Sequence, residues 1–195
     1  MPLVDYSLEI VARVLREIDA EPSRTGRVLC LSTTDVIAAR ATVRGIFGPA
    51  VDGVPARPDS DAIANWHKAQ HITREVLDTR ALFQALGYEM DAVDRTAGRG
   101  GELLHDLSDP MPADWPGRGA YDLVFDCISN QVFNVAQAWW TMVSACRVGG
   151  RILSVTPVTM VNQGFWDVSP AAYKDFCDAN GLALDYRSIL GVYVR

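Results

Sequence analysis

The chain has 195 residues, 49% of them hydrophobic and 22% charged, which is enough apolar content for a substantial core and too much for a disordered segment. Its 18 Lys and Arg against 24 Asp and Glu leave a formal net charge of −6, which repels a polyphosphate and disfavours nucleic acid as a partner. No window reaches the roughly 18 uninterrupted apolar residues of a membrane span, and the start MPLVDYSLEI meets acidic residues at once, so one cytoplasmic domain over residues 1–195 with no membrane partner is expected.

Leu8, Val11, Val14, Leu15 and Ile18 recur at helical spacing, residues 23–26 break the pattern, and RVLCLS (27–32) follows as a first strand. A loop rich in proline (48–60) leads to a helix over 61–86 that Gly87 closes, so residues 45–80 read as a helical, lid-like insertion. Strand-length apolar runs come next at 88–94 (YEMDAVD) and 102–107 (ELLHDL), then a second proline-rich loop at 108–119 and a run at 121–129 (YDLVFDCIS). A helix from Val132 to Cys146, closed by Gly149-Gly150, precedes the run 151–158 (RILSVTPV); this strand and the one before it read as buried on both faces. Ser169-Pro170 opens a last helix that stops at Asn180-Gly181, and the tail LALDYRSILGVYVR has the composition of one or two final strands. Strands alternating with helices predict an α/β fold around a mostly parallel sheet.

In such a sheet, ligands bind beyond the carboxyl ends of the strands. Those ends are polar and acidic: Ser32, Thr33, Thr34 and Asp35 after the first strand, Asp94 after the second, Asp106 in the third, and Asp126 to Gln131 after the fourth. Asp94 is placed to accept from both hydroxyls of a ribose. Neither GxGxxG nor GxxxxGK[ST] follows the first strand, which fits a nucleoside ligand without a phosphate chain better than NAD, FAD, ATP or GTP. Cys30, Cys127, Cys146 and Cys177 form no CxxC and read as buried, reduced and structural.

Over residues 82–184 the chain resembles the class I S-adenosylmethionine-dependent methyltransferases, in their small-molecule and sugar-pathway branch. The resemblance is carried by LFQALGYEMDAVD, GGELLHDLSDPMP, YDLVFDCIS, VFNVAQAWWTMVSACRVGGRILSVTP and NQGFWDVSPAAYKDFCDANGL. It implies a Rossmann-like sheet with a reversed, here shortened, final hairpin. It also implies S-adenosylmethionine as cofactor, O- or N-methylation of a small-molecule acceptor, and a place in biosynthesis. Asp94 would then bind the ribose, Asp106 and Leu107 would flank the adenine, Asp126 and Cys127 would lie beside the methionine part, and Ser32 and Thr33 would form the turn at the cofactor.

Three positions depart from that family. Ser32-Thr33-Thr34 stands where the turn carries glycine, and Gln131 and Gln163 stand where related sequences carry histidine. Glutamine hydrogen-bonds but takes no proton near neutral pH. Two readings follow. In the first, methyl transfer is driven by holding nucleophile and methyl in line. Gln131 and Gln163 then line the reaction site, Asn134, Asn162, Phe165 and Trp166 bind the acceptor, and His71, over the pocket on the 61–86 helix, is its proton acceptor. In the second, the scaffold serves a non-methylating protein, such as a partner or binding subunit or an isomerase or cyclase. His67 and His71, four apart on that helix, share a face but have no third ligand, so no metal is expected. His105 reads as a structural residue within its strand. Trp139 and Trp140 point about 100° apart on a helix, so at most one is central to the core, and the other leaves a homodimer open.

Overall fold

The computed structural model describes residues 2–158 and 164–184. Its elements are α1 (Asp5–Asp19), β1 (Arg27–Leu31), α2 (Arg40–Phe47), α3 (Ser60–Trp66), α4 (Thr79–Ala85), β2 (Glu89–Asp94), β3 (Leu103–Leu104), β4 (Tyr121–Asp126), α5 (Val135–Ala145), β5 (Cys146–Ser154) and α6 (Pro170–Ala179). The strands form one sheet in the order β3-β2-β1-β4-β5, with every pairing parallel. This is a Rossmann-like arrangement, and the order reverses between β1 and β4. Among the described residues no helix is long and apolar enough to cross a membrane.

The central strands are buried on both faces, as a parallel sheet covered by helices requires. Val28 and Cys30 of β1 join a core with Leu8, Val11, Leu15 and Ile18 of α1, while the alternate Leu29 and Leu31 pack with Ala138, Trp139 and Met142 of α5. The alternation is the two-residue period of a strand, seen here between two helical layers. Trp139 is buried against Tyr173 of α6, at 4.9 Å between ring centroids, and Trp140 is half exposed, as their angular separation requires.

The structure corrects several expectations. The helix over 61–86 is two short ones, because Lys68 takes φ +53° after the α3 cap and the chain then runs extended through Val76 and Leu77, which are buried. His67 caps α3 and His71 lies in the following turn, so they do not share a helix face. Within residues 45–80, Val51, Val54 and Leu77 pack into the main core. The third strand is two exposed residues long, and His105 lies just after it. β5 starts at Cys146 and contains Gly149-Gly150 as an irregularity in its pairing with β4; among the described residues it ends the sheet, and it is half buried, not buried on both faces. Helix α2 lies in a stretch where no helix is expected from the sequence. The final hairpin of the tail lies beyond the described residues, apart from its first positions.

Candidate functional site

The reversal of strand order puts the turn after β1 beside the turn after β4, with the end of β2 on the other flank. Asp94, Asp106 and Asp126 all lie at or just past the carboxyl ends of their strands, along one edge of the sheet.

Ser32 is the first residue of the β1 turn and takes φ +67°, a left-handed conformation that costs a side-chain-bearing residue roughly 1–2 kcal/mol. Its amide donates to Val93 O at 2.7 Å, and its hydroxyl donates to Asp94 Oδ2 at 2.6 Å. Thr96 N donates to the other oxygen of Asp94 at 3.0 Å. Asp94 is part exposed, and its partners are hydroxyl and amide donors, one of the two kinds being what a ribose would present.

The next three residues turn inward. Thr33 Oγ1 donates to Glu102 Oε1 at 3.1 Å, and Thr34 Oγ1 contacts Cys127 Sγ at 3.0 Å across the switch point. Asp35, 7% exposed, accepts from Arg99 Nε and Nη2 at 2.8 and 2.7 Å and pairs with His67 Nε2 at 2.9 Å. Burial alone would raise the pKa of Asp35, but hydrogen bonds from Arg99 and His67 outweigh it and hold the carboxyl at about 2. An ionised Asp35 can only accept, so His67 Nε2 carries the hydrogen and Nδ1 is the basic atom of the neutral ring. Among the described residues Nδ1 has no hydrogen-bond partner.

The remaining site residues divide. Asp126 is fully buried and accepts from Ile128 N, Ser129 N, Ser129 Oγ and Ser154 Oγ at 2.6–3.0 Å, so it braces the turn after β4. Cys127 is 2% exposed, and burial pushes its thiol and that of Cys30 up, which suits inert packing. Leu107 is in the core, and Asp106 holds Ser108 N at 2.9 Å. Gln131 is exposed, and Asn134 is the N-cap of α5, with its amide nitrogen on Ser108 O. His71 is exposed. Asn162 and Gln163 lie outside the described residues.

Phe165 and Trp166 are exposed and join Phe133, which sequence reasoning did not single out. Its ring centroid lies 5.7 Å from that of Phe165 and 6.2 Å from that of Trp166. Trp166 Nε1 donates to Val132 O and Phe133 O, which fixes the indole on the turn after β4. Among the described residues no group of three or more His, Cys, Asp or Glu could hold a metal ion. A polar hollow of about 640 Å³ lies at the opposite, amino end of the sheet, between Arg24, Arg80, Tyr88 and Asp91, away from these groups. Arg99, Glu102 and Phe133 are the site residues that only the folded chain reveals. Their signal is spatial, since the glycine-rich run around Arg99 resembles any surface loop.

No family model, curated protein or solved structure matches the chain.

Proposed function

We propose that the chain is an S-adenosylmethionine-dependent methyltransferase acting on a small-molecule acceptor. The observation that carries the reading is Asp94 at the end of β2, beside the left-handed residue that ends β1, in a parallel sheet of order β3-β2-β1-β4-β5. The partly exposed carboxylate fits a ribose, whose hydroxyls would replace or join the Ser32 and Thr96 donors. When bound, the cofactor supplies an electrophilic methyl group.

The chain's own contribution is orientation and a proton acceptor. Phe133, Phe165 and Trp166 offer an apolar wall for a ring-shaped acceptor. His67, rather than the exposed His71, carries the base role in this reading, because Asp35 fixes its ring and leaves Nδ1 to take the proton of an acceptor hydroxyl or amine.

One observation favours a second reading, a non-methylating protein on the same scaffold. The β1 turn is filled by the chain's own side chains, through Asp35 with Arg99 and Thr33 with Glu102. Calorimetry with S-adenosylmethionine and S-adenosylhomocysteine separates the two. Binding that Asp94→Ala weakens tenfold or more (about 1.4 kcal/mol) supports the methyltransferase. No heat up to roughly millimolar ligand, in the wild type and in variants that free the turn, leaves the second reading.

A further inference from the structure

We propose that residues 95–102 form a self-closing strap, latched by Arg99 on Asp35, which covers the carboxyl ends of β1 and β2 and must release before a nucleoside-sized ligand reaches Asp94. The choice of ligand rests on the methyltransferase reading; the latch itself does not.

The strap leaves β2 at Asp94 and re-enters the sheet at Leu103. Arg95, Thr96, Ala97, Gly98, Gly100 and Gly101 are exposed, and only Arg99 and Glu102 are partly buried. Both of these reach the β1 turn: Arg99 makes its two-pronged pair with Asp35, and Glu102 Oε1 accepts from Thr33 Oγ1. Glu102 Oε1 also accepts from Arg99 N at 2.7 Å, so the two ties brace one another. Elsewhere the segment is held lightly. Thr96 turns back on Asp94, and Arg80 Nη2 reaches Gly101 O at 3.3 Å on the exposed side. Gly100 and Gly101 take φ +90° and +76° beside the latch, so the backbone there is built from the residue type that rotates at least cost.

Energetically the latch is two charge-assisted hydrogen bonds on a carboxylate that is 7% exposed, stronger than a surface ion pair yet carried by a single side chain. The ties run from the β2–β3 connection to the turn after β1, the same two segments that the Ser32–Asp94 bond joins, so the latch flanks the place where a ribose held by Asp94 would lie. His67 remains on Asp35 when Arg99 leaves, so opening does not strand the buried carboxylate without a partner.

The test uses the full chain and two readouts. Hydrogen exchange followed by mass spectrometry should show peptides covering 95–102 exchanging about tenfold faster in Arg99→Ala than in the wild type. Peptides of β1 and β4 should be unchanged, and Arg99→Lys, which keeps the charge and loses the fork, should fall between. Asp35→Asn should give the same opening, but Arg99→Ala decides, since its side chain is more exposed and its loss leaves the core intact. Unchanged exchange at 95–102 in Arg99→Ala overturns the strap whatever any ligand does. With S-adenosylhomocysteine as probe, Arg99→Ala should bind at least threefold more tightly than the wild type, and equal or weaker binding overturns the claim that the latch obstructs the ligand. Faster exchange with no binding to wild type or variant upholds the latch and removes the methyltransferase reading.

Discussion

Asp122 and Arg147 meet inside the amino end of the sheet, with Nε 2.5 Å from Oδ1 and the aspartate fully buried. The same carboxylate accepts from the backbone N–H groups of Thr25, Gly26 and Arg27 and from the Thr25 hydroxyl, so one side chain of β4 fixes the chain's entry into β1. Arg147 extends the network to Glu21, just past α1, at 2.9 Å. Asp122→Ala removes a fully buried carboxylate from three part-buried backbone donors and from Arg147, which keeps Glu21, and should cost about 1–3 kcal/mol, the range for leaving such groups unpaired. Urea unfolding should show a lower midpoint with an unchanged slope; a loss under about 1 kcal/mol would mean that water replaces the carboxylate.

Acid should unfold the protein through the same kind of group. Burial works to raise the pKa of Asp122, but Arg147, Thr25 and Gly26 win and lower it, and Asp35 is lowered to about 2 by Arg99 and His67 against its own burial. A carboxylate with a depressed folded-state pKa contributes stability that is complete above its unfolded value of about 3.9 and is lost as pH falls through the folded value. Stability should therefore hold above about pH 5 and fall steeply between about pH 4 and 2, with Asp35 contributing on the order of 2 kcal/mol. In Asp35→Asn, denaturant midpoints measured across that range should decline less steeply.

The two histidines that look equivalent in sequence should behave differently. His71→Ala should change stability by no more than about 0.5 kcal/mol, since the ring is exposed in a turn. His67→Ala removes one of the partners of a buried carboxylate and should cost about 1–3 kcal/mol. Equal losses in urea unfolding would place both rings in the same environment and would count against His67 as the oriented base.

Their divergence shows what the sequence carries and where it stops. The strands at 27–31 and 121–126 are legible because burial on both faces leaves a continuous local signature, and the one at 89–94 because buried Met90, Ala92 and Val93 make a strand-length run closed by Asp94. Gly87, at φ +84° after α4, and the Ser169-Pro170 start of α6 are legible for the same local reason. The break after His67 is not, because residues 67–78 retain apolar residues that a helix could bury, and what decides is Leu77 bridging Val36 and Ala56 while Val76 bonds to Arg57 and Ser60. At the site, acids at strand ends are visible, but whether one faces a ligand or a neighbouring backbone is not. Asp94 and Asp126 end equivalent strands, yet one is part exposed and the other is consumed by four internal donors.

Ser32 carries the next prediction. At φ +67° it holds the conformation that glycine adopts without strain, in the turn where the resembled family carries glycine. Ser32→Gly relieves roughly 1–2 kcal/mol of backbone strain but loses the hydroxyl bond to Asp94 and gains unfolded-state freedom, so stability should shift by less than about 1 kcal/mol. On the methyltransferase proposal, Asp94 Oδ2 freed of that hydroxyl should hold S-adenosylhomocysteine more tightly in calorimetry. Ser32→Val, with a branched Cβ in a left-handed backbone, should be clearly destabilising, and a tolerant Val would show that the turn relaxes.

Two glycines give opposite expectations from one substitution. Gly164 takes φ +87°, and a Cβ there would lie 2.5 Å from Asn130 O and 2.6 Å from Asn130 Nδ2, inside contact distance of a buried residue. The amides of Phe165 and Trp166 both donate to that same Asn130 oxygen, at 2.8 and 3.1 Å, so the contact seats the aromatic wall. Gly164→Ala should therefore cost about 1–3 kcal/mol from conformation alone and more from the clash, and should speed hydrogen exchange at the amides of Phe165 and Trp166. Gly45 lies within the exposed face of α2, with ordinary φ and nothing within 4 Å of an added Cβ. Gly45→Ala should instead stabilise by roughly 0.5–1 kcal/mol, through helix propensity and a less free unfolded chain. If Gly164→Ala proved as harmless as Gly45→Ala, the Asn130 contact would not be what seats Phe165 and Trp166, and the apolar wall would lose its structural basis.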